Sequence, residues 1–145
     1  MTVRVYVPAS LGALALFIEE GGIGPSPVRA HAVTDWLRES WPDADEDEWA
    51  YAALMAAADD AASHLASSLA TSPENEERPR RVVLVADVEQ VTEDRESTAV
   101  SVDAAISMRL VRAVHADSED IDPNAPEDLG DLGWFGVQEI PDLLA

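Results

Sequence analysis

The sequence predicts an α/β domain of the α+β kind: a two-layer fold with a mixed sheet and helices on one face. Three segments carry that prediction. Val3, Val5 and Val7 alternate with Arg4 and Tyr6, the period of a strand with one buried face. After the basic pair Arg80-Arg81, the run Val82 to Ala86 is continuously apolar, as a central strand covered on both sides would be. Between them lies the longest helical pattern in the chain, opened by Asp45 and Glu48 in capping-box spacing.

The elements follow in order. After the Val3–Val7 strand and Pro8, Ser10 is placed to cap a helix carrying Leu11, Leu14, Ala15 and Ile18, and Gly21-Gly22 supplies its stop. Gly24-Pro25-Ser26-Pro27 turns the chain into a second extended segment, Val28 to Val33. Strand, helix and strand within about thirty residues suggest a βαβ unit with parallel strands. Thr34 can cap a short helix with Trp36 and Leu37, ended by Pro42. The long helix then runs to about Ser68, with Tyr51, Leu54, Met55, Ala58, Ala62, Leu65 and Leu69 as its apolar stripe. Asp59, Asp60, Ser63, His64 and Ser67 fall opposite.

Residues 72–79 read as a polar loop, 98–104 as a strand with one wet face, and 117–131 as an acidic, Pro-containing loop. Met108 to His115 fits a helical turn or a strand, and strand is the reading taken. Trp134 to Val137 closes a sheet of about five strands, and Ile140 to Leu144 reads as an apolar tail docked on the domain. The chain of 145 residues is expected to be one domain, 1–145.

Composition narrows function by exclusion. Nine arginines, no lysine and 29 acidic residues leave a net charge of -20. Such a field repels nucleic acid and anionic membranes and attracts basic partners. Without cysteine there is no disulfide, thiolate site or Cys nucleophile, and without lysine no Schiff-base amine. The amino terminus shows no signal-peptide core and no run has the length of a membrane span, so a cytoplasmic protein is expected.

Five segments together resemble a small family of uncharacterised actinobacterial proteins, a domain of unknown function. They are Arg4-Val-Tyr-Val-Pro8, Ala30-His-Ala-Val-Thr34, Glu48-Trp-Ala-Tyr-Ala-Ala-Leu54, Arg80-Arg-Val-Val-Leu-Val-Ala-Asp-Val88 and Gln138-Glu-Ile-Pro-Asp-Leu-Leu144. The resemblance covers nearly the whole chain and implies a single domain. It brings no activity, substrate or site residue.

The residues that could carry chemistry are few. His115, Asp117, Glu119, Asp120 and Asp122 are the densest set of metal-type ligands, but no calcium-loop register fits, since Asp122 falls where glycine is required. A solvated acidic loop without metal is the expectation. His31, His64 and His115 lie far apart, and nucleophilic catalysis would need a Ser or Thr hydroxyl within reach of one of them. Gly21-Gly22-Ile23-Gly24 follows a helix rather than opening one, so it is a turn and not a phosphate cradle. No cofactor is expected. Trp36, Trp41, Trp49 and Trp134 belong to the core, or some of them anchor a partner.

The resulting expectation is a non-catalytic protein acting through protein contacts, by self-association or with a basic partner. The alternatives are a small carboxylate- or metal-dependent hydrolase or transferase, and an acidic nucleic-acid mimic.

Overall fold

A computed structural model describes residues 2–72, 74 and 77–145 of the chain. Residues 73, 75 and 76 of the expected polar loop 72–79 lie outside the described residues. The fold is α+β. Its main sheet has seven strands in the order β5-β6-β3-β1-β4-β8-β9. These are β1 (Val3–Ala9), β3 (Val28–Ala32), β4 (Val82–Val88), β5 (Thr92–Glu93), β6 (Ala99–Val102), β8 (Val111–Ala116) and β9 (Gly133–Gly136). A separate pair joins β2 (Gly22–Ile23) to β7 (Ile106–Ser107). The four helices are α1 (Leu11–Glu20), α2 (Asp35–Ser40), α3 (Glu46–Thr71) and α4 (Ile140–Leu144).

Local signals set the helix ends. The Ser10 hydroxyl accepts from the Ala13 N–H at 3.1 Å, and Gly21 closes α1 with φ 76°, a left-handed conformation that glycine adopts without a Cβ clash. Thr34 caps α2. Asp45 and Glu48 complete the capping box of α3 in both directions, at 2.9 and 3.3 Å. The mainly apolar strand β4 is interior, between β1 and β8, as its sequence requires.

Three expectations need correction. The main sheet has seven strands rather than about five, in part because β5 is a two-residue strand fixed by tertiary pairing that leaves no periodicity to read, as are β2 and β7 of the separate pair. The strands are not mixed: β1 and β3 are direct neighbours but antiparallel, with Val5 opposite Ala32 and Tyr6 opposite His31. After α1, the short strand β2 and the bent segment 24–27 bring the chain back so that β3 runs antiparallel to β1. All strand pairings among the described residues are antiparallel.

Nor do the helices share one face. Val5, Val7, Val82, Leu84, Val100, Val114 and their neighbours pack with Leu11 and Leu14 of α1 and with Ile140 and Leu143 of α4. Tyr6, Val83, Val85 and Ala113 point to the other side, under Ala53, Ala57 and Ala58 of α3. The buried side of α3 is mainly alanine, and Tyr51 from the expected stripe is 52% exposed. Alanines bring the helix axis close to the sheet, and the larger residues flank that contact. A register shift at Val85/Ala86 keeps Val111 on the α1 side and Ala113 on the α3 side despite their even spacing.

Met108 to His115 combines both readings, a 3-10 turn at Met108–Leu110 followed by β8. The carboxy-terminal segment is docked, as α4.

Candidate functional site

The α3 side of the sheet gathers most of the polar chemistry. At the strand ends Arg81 and Asp117 form a buried pair, 1% and 7% exposed. The guanidinium reaches the two carboxylate oxygens at 2.9 and 2.7 Å, the Arg81 backbone N–H adds a third bond at 2.8 Å, and the Gly130 carbonyl accepts from the same arginine at 2.7 Å. This two-pronged geometry suits arginine and leaves the carboxylate fully engaged.

Asp117 was expected to be a solvated loop acid; it is instead buried, with both carboxylate oxygens held by Arg81. Asp120 meets Arg80 at 3.0 Å, and Asp122 accepts from the Asn124 N–H at 3.0 Å. Glu119 is exposed, and His115 lies on β8 opposite Val83 and Trp134, where burial lowers its pKa. Among the described residues no three metal-ligating side chains converge.

A second ionic group crosses three strands. Asp87 accepts from Arg4 at 3.0 and 3.2 Å and from Arg112 at 3.4 Å, and the Arg4 hydrogen bond holds its carboxyl below the usual range. Tyr6 beside them is buried, which raises its phenol.

Sequence reasoning did not find the third group. His31, on β3 and nearly buried, bonds through Nδ1 to the Thr98 hydroxyl at 2.8 Å and through Nε2 to Asp60 of α3 at 2.6 Å. Thr98 is held beside it because its carbonyl accepts from the Ala32 N–H and because the Thr34 hydroxyl donates to the Ser97 carbonyl. The hydroxyl, imidazole and carboxylate come from positions far apart in the chain, so no local motif could announce them. His64 stays exposed on α3.

The tryptophans are divided. Trp49 is half-buried, donating Nε1 to the Trp41 carbonyl at 3.0 Å, with the Arg38 guanidinium 5.8 Å from its ring centroid. Trp36 and Trp41 are 38% and 43% exposed. Trp134, on the edge strand β9, is 62% exposed, while the next residue, Phe135, turns into the α1-side core. Just ahead of β9, Asp131 accepts from the Tyr51 hydroxyl at 2.6 Å, tying α3 to this edge. Glu48 and Asp47 precede Tyr51 by one helical turn and are exposed, as are Glu127 and Asp128 in the loop. Residues 127–131 thus form an acidic seam leading into Trp134 and tied to α3 through the Tyr51–Asp131 bond.

No helix of the described residues is long and apolar enough to cross a membrane. No curated protein and no solved structure matches the chain. A family of unknown function matches residues 3–144, almost the whole sequence, and the chain belongs to that family, DUF6912.

Proposed function

We propose that the protein acts through protein contacts, and that its partner is a basic, arginine-rich segment docking on the β9 edge. The observation that carries this reading is Trp134, 62% exposed on the edge strand β9, just after the exposed acids Glu127, Asp128 and Asp131 in the chain. Large aromatics are costly to leave in water and are enriched at binding hot spots. Arginine suits the seam twice, pairing with carboxylates and stacking on aromatic faces. The chain uses the same chemistry internally where Arg38 covers Trp49. A net charge of -20 opposes close approach of two copies and draws a basic partner from a distance. An actinobacterial source and a cytoplasmic location belong to the same proposal.

The test is titration with a synthetic arginine-rich peptide, against wild type and Trp134→Ala, at low and high salt. Trp134→Ala leaves the charge unchanged. A loss of affinity of roughly tenfold or more in that variant, the size of a modest hot spot, supports the docking edge. Equal binding by both proteins, or binding that salt removes equally, reduces the effect to bulk charge and overturns it. Dimerisation that depends on Trp134 would instead make a second copy the occupant.

A further inference from the structure

Independently of that surface, we propose that Thr98, His31 and Asp60 form an acyl-transfer site in which Thr98 is the nucleophile. The geometry is a continuous relay: Thr98 Oγ1 to His31 Nδ1 at 2.8 Å, and His31 Nε2 to Asp60 Oδ2 at 2.6 Å. Asp60, accepting from Nε2–H, fixes the tautomer whose Nδ1 lone pair faces the threonine hydroxyl. That is the arrangement in which a base can take the proton of an attacking hydroxyl while a carboxylate steadies the charge formed on the ring.

The three groups are held by different elements. The imidazole is fixed on an interior strand, with its side chain 11% exposed, whereas the carboxylate is 53% exposed and Thr98 is partly open to solvent. The relay thus runs along the rim of the sheet–α3 interface instead of being sealed inside it.

The step balances without a further reagent. Thr98 Oγ1 adds to an ester carbonyl as its proton passes to His31 Nδ1. The carbon–oxygen bond to the alcohol breaks, and the leaving oxygen takes the proton back from Nδ1. Water, deprotonated by the same nitrogen, then releases the acid from Thr98. Asp94 is paired with Arg29 at 4.0 Å, and Asp59, Asp60, Glu93 and Glu96 still outnumber Arg95 around the relay, so the class is a small neutral or cationic ester rather than a phosphate.

The probe is p-nitrophenyl acetate, with p-nitrophenolate release and the intact mass followed together and the acetylated residue mapped by peptide analysis. The expected result is an acetyl group on Thr98, absent in Thr98→Val and retained in Thr98→Ser. Asp60→Asn, whose position is half-exposed, should keep the fold by circular dichroism and slow acetylation of Thr98 by about a hundredfold or more, the usual scale of general-base assistance. Acetylation confined to His64, His115 or the amino terminus would overturn the proposal. So would a Thr98→Val protein that releases p-nitrophenolate as fast as wild type, or an Asp60→Asn protein that acetylates Thr98 at the wild-type rate.

Discussion

The two faces of the sheet are built on different principles. The α1 side is closed by interlocking Val, Leu and Ile from five strands of the main sheet, the β2–β7 pair and two helices. The α3 side is closed by alanines over a smaller apolar patch. Around that patch stand Arg81–Asp117, Arg4–Asp87–Arg112, His31–Asp60 and Tyr51–Asp131. One face derives its stability from apolar area, and the other closes a thin apolar layer with oriented polar groups. Polar groups that must be held in fixed directions are also the ones that can recognise or transform something, so both the docking edge and the relay fall on the α3 side.

The comparison breaks first at Asp117. Asp117→Ala strands a buried guanidinium and should cost about 3–5 kcal/mol, whereas replacing both partners with apolar residues of similar size should recover most of that. Urea unfolding of the single and double variants measures it. A cost for Asp117→Ala no larger than that of an ordinary surface change would make the pair dispensable and the α3 face an apolar one after all.

On the other face, Leu84→Ala should cost about 2–5 kcal/mol, because Leu84 is fully buried among aliphatic neighbours with little freedom to collapse. The corresponding alteration under α3 is an enlargement. Ala57→Leu should cost about 1–3 kcal/mol by lifting the helix from the sheet. It should also weaken the His31–Asp60 bond, which spans the same gap. If Ala57→Leu is neutral, the helix is not close-packed and the alanine face has no steric role.

These contrasts explain what the sequence disclosed. The α1-side strands were legible because Val3, Val5, Val7 and the run from Val82 alternate or cluster in ways a strand imposes. The caps at Ser10, Thr34 and Asp45 were legible because each acts within three or four residues. The buried side of α3 was read in part: Ala58, Ala62 and Leu65 are buried as expected, but Tyr51 is exposed, while Ala53, Ala57 and Ala61 blend into an alanine-rich run and were missed. Asp117 looked like its acidic neighbours, since nothing local marks the one carboxylate that meets Arg81. The Thr98 relay depends on the pairing of β3 with β6 and on the docking of α3, both products of the tertiary fold.

The smallest effect expected is a pH dependence confined to the α3 face. Burial holds the His115 imidazole below its ordinary value, so the folded pKa lies under the unfolded one of about 6.5. Between those two values the unfolded chain binds a proton that the fold does not, and stability falls as pH drops from about 6.5, levelling once the folded pKa is passed. Asp87 acts in a separate and lower window. Arg4 depresses its pKa, so its contribution is complete above the unfolded carboxylate value of about 3.9 and is lost as pH falls through the folded one. Repulsion among the many carboxylates works in the opposite direction, and relief of it on acidification is shared by any variant with the same acids. The difference between the melting curves of wild type and His115→Gln therefore isolates the histidine. Their melting temperatures should converge or cross between about pH 7.5 and pH 5.5, with wild type losing ground as acid is added. Curves that run parallel through that interval would mean that His115 titrates alike in both states, and that the β8–β9 edge beneath Trp134 is open to water rather than covered.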